Sequence, residues 1–175
     1  IQPSMTPIPT SPPSASLRVV AVHGAAALDD FIAVPRGIFK EDPAWIQPLT
    51  LERRLHLSAS SNPYFQHARW QAWTAWREGR TVGRISAQID TLHLERYRDE
   101  TGFFGMLDAE DSQETFGALL ETAERWLSEQ GMRRIRGPFN LSINQEMGVL
   151  VDGFDTPPFF MMGHAKPYYA TRIEN

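Results

Sequence analysis

One carboxylate in the second half of the chain is notable because its neighbours along the sequence are apolar. Four such residues surround Glu146, namely Ile143, Met147, Val149 and Leu150. A carboxyl group buried among apolar side chains has a raised pKa, which suits it to accept a proton as a general base near neutral pH. The alternative is structural, with Glu146 capping a turn or pairing with Arg136. We predict Glu146 as a catalytic residue and leave the structural alternative open.

Three polar side chains lie close to Glu146 in the same segment. Asn140 and Asn144 can donate hydrogen bonds to an oxygen that gains negative charge during a reaction. Asparagines also hold turns in irregular segments, and the sequence does not separate these two roles. We group both with Glu146 as predicted catalytic residues. Ser142 and, from an earlier apolar stretch, Phe104 are predicted substrate contacts.

Two histidines and an aspartate form a second group of candidates. His67 and His93 can each exchange a proton near neutral pH. Asp90 and His93 are three residues apart, a spacing that also fits a pair of metal ligands. A third ligand is not evident, so we predict no metal site. His67, His93 and Asp90 are predicted substrate-binding residues, against the more common role of histidine in ordinary polar structure.

The first half of the chain predicts a strand, two helical regions and a hairpin. Residues 17–22 form a β-branched apolar run that predicts a strand. Residues 25–39 have helical spacing, although Pro35 argues against a regular helix there. Residues 49–57 predict a short amphipathic helix. Residues 69–77 and 80–90 predict a hairpin around Glu78 and Gly79.

The first arm of that hairpin is ambiguous. Three tryptophans recur every third residue, which suits a helix better than a strand: Trp70, Trp73 and Trp76. The turn that follows and the regular alternation of the second arm favour a strand. Packing in the core is the favoured role of these tryptophans, with the lining of an acyl pocket as the alternative. A run of apolar side chains at residues 159–162 has the same two interpretations.

The second half predicts a strand, a long helix and a parallel strand. Residues 101–107 are an apolar strand, and residues 111–130 have one apolar helical face. Asp111 and Glu114 match a capping box, and Gly131 occupies the position after the helix where glycine is favoured. Residues 133–136 then predict a strand parallel to the first. Residues 139–162 form a long irregular segment, and residues 167–174 begin a helix.

Composition excludes several classes of protein. The formal net charge is −4, and the 17 Lys and Arg are scattered among acids, so we predict no nucleic-acid partner. There are no cysteines, which removes disulfides, thiolate nucleophiles and Cys-based zinc sites. No apolar run reaches the ~18 residues of a membrane span. Residues 1–16 lack signal-peptide features and predict a disordered leader, so we expect a cytoplasmic protein with one domain at 17–175.

The order of elements resembles the GNAT acyltransferase fold, and specific runs are similar to one of its families. These runs are FxxVPxxIF (31–39), DPAWIQPL (42–49), NPYFQHA (62–68), VGRISAQID (82–90), DETGFFGML (99–107), GPFNLSINQEMGVLVDGFDTPP (137–158) and KPYYA (166–170). Together they look like a YghO-like family of bacterial GNAT-like N-acyltransferases, which includes the bacterial ceramide synthase. The resemblance covers about residues 28 to 171, and the run at 137–158 is its most specific part.

The resemblance implies a fold, a reaction and a place for it. The fold is α/β, a GNAT-like mixed sheet flanked by helices, here expected to lack the last strands. The reaction transfers an acyl group from a thioester of CoA or of an acyl carrier protein to an amine, such as a long-chain amino base in sphingolipid synthesis. The thioester would enter between the strands at 101–107 and 133–136, and Glu146 would take the proton of the amine.

One departure from the GNAT pattern supports a rival function. The pyrophosphate of acyl-CoA would lie at the start of the long helix, where four carboxylates are found: Asp108, Glu110, Asp111 and Glu114. A helix N-terminus attracts anions, but these carboxylates already occupy the position. A non-catalytic ligand-binding or regulatory module on the same fold is therefore the alternative. A hydrolase is a weaker alternative, because the sequence lacks a Gly-x-Ser-x-Gly nucleophile elbow. We leave open whether the protein forms a homodimer.

Overall fold

The computed structural model describes residues 16–175, so the predicted leader falls outside the described residues except for its last position. Five strands form one sheet in the order β1 to β5: Arg18–Ala21, Ala68–Arg77, Arg80–Asp90, Thr101–Ala109 and Arg134–Arg136. The first three pairings are antiparallel, and β4 pairs with β5 in parallel. The predicted α/β class, the hairpin and the parallel pair are confirmed.

Within residues 16–175, five α-helices flank the sheet: α1 (Gly24–Ile38), α2 (Thr50–His56), α3 (Thr91–Tyr97), α4 (Gln113–Glu129) and α5 (Tyr169–Glu174). A short 3-10 helix, Pro63–Gln66, precedes β2. Helix α4 packs on the face of β3 formed by Ile85, Ala87 and Ile89. Helix α1 covers the opposite face, where the ring of Phe31 lies 5.0 Å from the guanidinium of Arg84. Both faces of β3 are therefore buried, which explains why Ser86 and Gln88 are fully buried although they alternate with apolar residues.

Pro35 does not prevent a regular helix, contrary to the expectation from the sequence. The helix runs through Pro35, which lacks the N–H that would bond to the carbonyl oxygen of Phe31, four residues earlier. That oxygen accepts a hydrogen bond of 3.2 Å from the Arg84 guanidinium instead. A side chain from β3 thus replaces the missing backbone donor, which no local pattern in the sequence could indicate.

The N-cap of the long helix α4 lies one residue later than predicted. Ser112, and not Asp111, is the cap, and its hydroxyl oxygen accepts from the N–H of Thr115 at 3.3 Å. Gly131 has φ 86°, as predicted for the residue after the helix. Helix α3 was not predicted; Asp90 caps it by accepting from the N–H groups of Leu92 and His93. In the described part of the chain, no helix is long and apolar enough to cross a membrane.

Candidate functional site

The parallel ladder between β4 and β5 is short, and the chain that follows covers the rest of the β4 edge. Only residues 101–103 of β4 pair with β5. The N–H of Phe139 then donates to the carbonyl oxygen of Phe104 at 2.7 Å. A Cβ atom added to Gly105 would lie 1.7 Å from the carbonyl oxygen of Phe139. The backbone of this segment therefore occupies the place where we expected an open slot for a thioester.

Asn140 connects the irregular part of β4 with Glu146. The register between β3 and β4 shifts between Arg84 and Ser86, and Met106 has a φ of 47°. The Met106 N–H donates to Asn140 Oδ1 at 2.7 Å. Asn140 Nδ2 donates to Glu146 Oε2 at 2.9 Å, and the Asn140 N–H donates to the Glu146 carbonyl oxygen at 2.8 Å. Asn140 thus acts as a positioning residue that fixes both the backbone and the carboxylate of Glu146.

Gln88 of β3 holds the same segment against the sheet. Its side chain is fully buried, and Nε2 donates to the carbonyl oxygens of Phe139 at 2.8 Å and Leu141 at 3.2 Å. Leu141 is itself 1% exposed and has φ 83°. The segment is therefore an ordered wall, although it contains no helix or strand.

A cavity of about 640 Å³ lies between this segment and helices α1 and α2. Its polar lining includes Arg84 and Asp108 of the sheet, Arg53 of α2, and Asn140 and Glu146. Its apolar lining includes the consecutive residues Pro158, Phe159, Phe160, Met161 and Met162. Phe159 and Phe160 are 86% and 93% exposed, so the favoured interpretation of this run as core packing is wrong. The cavity therefore combines a charged wall with an apolar rim.

Glu146 lines this cavity with a half-buried side chain. Its Oε1 is 3.5 Å from Arg53 Nη1, so the salt-bridge partner is Arg53 and not Arg136. With Asn140 on the other oxygen, one donor contacts each carboxylate oxygen. His56 on the same helix has a lowered pKa because of burial and the nearby charge of Arg53, which keeps its imidazole neutral at pH 7. Glu146 is thus a fixed negative charge that can bind an ammonium group or accept its proton.

Three other predicted site residues do not line the cavity. Asn144 is exposed, and its N–H donates to Ser142 Oγ at 3.2 Å. The Ser142 N–H in turn donates to Gln145 Oε1 at 3.3 Å, so this part of the segment forms a local turn. Phe104 is 6% exposed and packs in the core. Of the residues predicted from this segment, the structure places Asn140 and Glu146 together in the cavity.

His67, Asp90 and His93 lie at the corner between β3 and α3, outside the cavity lining. His67 Nδ1 is 2.9 Å from Asp90 Oδ1, and His93 Nε2 is 3.1 Å from Asp99 Oδ1. These hydrogen bonds, together with the cap that Asp90 provides on α3, give the three residues a structural role at this corner. Within residues 16–175, no three His, Asp or Glu side chains are grouped so that they could hold a metal ion.

Each carboxylate at the start of α4 has an arginine partner. Asp108 pairs with Arg84 at 2.7 Å, Asp111 with Arg172 at 2.9 Å, and Arg77 contacts both Glu110 and Glu114. The Tyr169 hydroxyl also donates to Asp108 Oδ1 at 3.2 Å, and burial, followed by the charge of Asp108, raises the pKa of Tyr169 well above its usual range. The acidic stretch is therefore a set of internal ion pairs, and its arginines are already engaged.

Sequence reasoning missed a buried histidine on the cavity wall. His164 lines the 640 Å³ cavity, its side chain is 3% exposed, and its Nε2 is 3.1 Å from Asp42 Oδ2. Lys166 Nζ contacts the same carboxylate oxygen at 2.8 Å. Asp42 and His164 are 122 residues apart, so no local spacing could reveal the pair. Arg53 was missed for the same reason.

Two known proteins are similar to this chain in sequence. No family model matches the chain. Protein YghO of Escherichia coli (strain K12) is 56% identical over 147 residues, which are 84% of this chain and 37% of that protein. Bacterial ceramide synthase of Caulobacter vibrioides (strain NA1000 / CB15N) is 46% identical over 168 residues, 95% of this chain and 44% of that protein. The chain thus spans less than half the length of either relative.

The fold is also found in a solved structure. Aminoglycoside N-acetyltransferase AAC(6')-Iy, in complex with CoA, superposes with a TM-score of 0.50 at 14% identity. The match covers 75% of this chain and 82% of that one. At this identity the likeness concerns the fold, and it confirms the predicted GNAT-like arrangement.

Proposed function

This chain belongs to the YghO-like family of GNAT-fold proteins, and from that membership we propose that the full-length protein is an N-acyltransferase. It transfers an acyl group from a thioester, carried by CoA or by an acyl carrier protein, to an amine. The ceramide synthase relative and the fold of an N-acetyltransferase support this reaction class. The observation that supports it most is the carboxylate of Glu146, fixed on the wall of a 640 Å³ cavity.

Glu146 has the chemistry that this reaction needs at the acceptor. An amine is an ammonium ion at neutral pH and has no lone pair for attack on a thioester, so a base must remove a proton. The Glu146 carboxylate binds the ammonium group electrostatically and then takes its proton, directly or through a water molecule. Asn140 keeps the carboxylate in place by donating from Nδ2. The Asn140 side chain is itself fixed, because its Oδ1 accepts from the Met106 N–H.

The apolar rim indicates the kind of acceptor. A long-chain amino base has an amine at one end and an alkyl chain along the rest of the molecule. Its amine would meet Glu146, and its chain would lie against the exposed residues Phe159, Phe160 and Met162. Flexible methionine and aromatic side chains pack readily against alkyl groups of varied shape. We therefore propose a lipid amine, as in ceramide synthesis, as the acceptor.

The start of α4 does not fit the pyrophosphate of CoA in the usual way. Four carboxylates surround it, and their arginine partners are engaged. A phosphate there would meet like charges, which cost about 1 kcal/mol each at exposed separations of a few ångströms. We assign no phosphate contact at this helix, and both CoA and an acyl carrier protein stay candidates for the donor.

The test is acyl transfer by the full-length protein with long-chain acyl thioesters and long-chain amines. Glu146→Gln should lower kcat by about 10²-fold or more, because a positioned base contributes about 10²–10⁴-fold. The matched control is Glu124→Gln, an exposed position on α4, which should keep the wild-type kcat. Equal rates for wild type and Glu146→Gln would contradict the role of Glu146, and no transfer by wild type with any pair would contradict the reaction.

A ligand-binding module without catalysis is the second candidate, because residues 139–141 cover the β4 edge where a thioester slot was expected. Calorimetry combined with an assay of thiol release separates the two proposals. The module would bind a long-chain amine in the cavity, with Glu146→Gln weakening that binding, and would release no thiol from any acyl thioester.

A further inference from the structure

The acyl transfer proposed above removes two protons from the acceptor nitrogen, and Glu146 accounts for one. An ammonium loses the first proton before attack. It loses the second when its nitrogen bonds to the thioester carbon, and the departing sulfur needs a proton to leave as a thiol. A second proton-transfer group on the cavity wall is therefore chemically useful, and His164 is a buried titratable residue there with no role so far.

The geometry at Asp42 fixes which nitrogen of His164 carries the hydrogen. Burial alone would raise the pKa of Asp42, but hydrogen bonds from Lys166, His164 and the Ala44 N–H lower it to about 2. Asp42 is thus ionised and only accepts hydrogen bonds. His164 Nε2, 3.1 Å from Asp42 Oδ2, must therefore carry a hydrogen and donate it to that oxygen.

The other ring nitrogen of His164 has no partner in the described part of the chain. Nδ1 is buried and has no hydrogen-bond partner among residues 16–175. Buried polar atoms are nearly always satisfied, so an unpaired one on a residue that lines a cavity needs an explanation, and a catalytic role is one. The ring itself is held in place by Phe39, whose centroid lies 5.4 Å from that of His164.

His164 also lies beside the polar atoms that hold Glu146. A smaller cavity of about 50 Å³ adjoins the first, and His164 lines both. Met106 and Asn140 also line both cavities. The Met106 N–H donates to Asn140, and Asn140 in turn donates to Glu146. Glu146 and His164 therefore both line the larger cavity, and Asn140 and Met106 lie between them along its wall.

We propose that the Asp42–His164 pair is the second acid–base group of the acyl transfer. The amine nitrogen, already freed of one proton by Glu146, forms the C–N bond. His164 Nδ1 takes the second proton from that nitrogen. The C–S bond then breaks, sulfur leaves with the electron pair, and His164 returns the proton to it, giving a free thiol. The sum is an ammonium and a thioester giving an amide, a thiol and one proton to solvent.

The test compares kcat and its pH dependence in the full-length protein. His164→Gln keeps an N–H donor for Asp42 and removes the titratable nitrogen. It should lower kcat by about 10²-fold with little change in the KM of the amine. It should also abolish the part of the rise of kcat with pH that requires a neutral imidazole, which Glu146→Gln should retain. His23→Gln, at an exposed position before α1, is the matched control.

Charged groups around His164 also influence how kcat depends on pH. Asp42 contacts His164 at Nε2, and Lys166 contacts the same Asp42 oxygen. Asp108 and Tyr169 line the smaller cavity together with His164. Along the larger cavity the charged residues are Asp29, Arg36, Arg53, Arg84, Asp108 and Glu146. Asp42→Asn keeps an acceptor for Nε2 without the charge and should reduce kcat less than His164→Gln does.

A measurement independent of turnover protects the inference from a folding defect. ¹⁵N NMR of histidine-labelled wild-type protein should show neutral His164 with its hydrogen on Nε2. Acyl transfer that is unchanged in a folded His164→Gln variant, or a hydrogen on Nδ1, would overturn the role of His164 and leave the proposed function standing. A wild-type protein that transfers no acyl group would overturn both.

Discussion

The two halves of β4 are bounded in different ways. Residues 101–103 pair with β5 through a regular parallel ladder. From Phe104 onward, the edge is covered by the segment after β5, and at Met106 the bond comes from the side chain of Asn140. In the first half of β4, backbone pairing with β5 brings no functional side chain to the edge of the strand. At the second half, the side chains that replace the ladder are those that build the cavity, so the site begins where the ladder ends.

Gly105→Ala gives the largest expected effect, because it blocks the contact between β4 and the segment. The new Cβ would lie 1.7 Å from the Phe139 carbonyl oxygen, and a backbone atom cannot move aside as a flexible side chain can. We expect a loss of about 3 kcal/mol in the free energy of unfolding, measured with urea. Gly117→Ala in α4 is the control, since nothing lies within 4 Å of its Cβ, and it should be neutral or stabilising. Equal stability of the two variants would contradict the close contact.

Asn140→Ala should have the next largest effect. It leaves the buried Met106 N–H without an acceptor and removes a donor from Glu146. An unsatisfied buried donor costs about 1–3 kcal/mol, and the variant should lose that much in urea unfolding. Asn140→Asp sharpens the result, because it restores an acceptor for Met106 but places a second carboxylate beside Glu146. If Asn140→Ala unfolds like wild type, the side chain does not fasten the segment.

Ser112→Ala has the smallest expected effect and tests the regular part of the molecule. Losing the N-cap of α4 should cost about 1 kcal/mol in the same assay. Asp111→Ala, one residue earlier, should cost less, because Asp111 has only an exposed salt bridge with Arg172. The reverse order would restore Asp111 as the cap. Neither change should alter acyl transfer, since neither residue lines the cavity.

The same contrast explains how much of the fold could be predicted. The hairpin of β2 and β3 and the helix α4 depend on short-range signals: the turn at Glu78 and Gly79, the alternation along β3, and Gly131 after the helix. The cap was misplaced by one residue because Asp111 and Ser112 both suit an N-cap. The path of α1 through Pro35 was missed because Arg84, 53 residues from Phe31, supplies the donor.

Only part of the candidate site could be predicted from the sequence. Glu146 and Asn140 could be found because they are polar residues in an apolar, irregular stretch. Their partners could not be found, because Arg53 and Met106 come from distant parts of the chain. His164 and Asp42 gave no signal for the same physical reason. Tertiary contacts, and not spacing, determine which polar residues meet.

The cavity as the acceptor site is tested most directly by a crystal structure of the full-length protein with a long-chain amine and an unreactive thioester analogue. We predict the amine nitrogen within hydrogen-bond distance of Glu146, with the alkyl chain against Phe159 and Phe160. An amine bound elsewhere, with Glu146 contacting only Asn140 and Arg53, would contradict it.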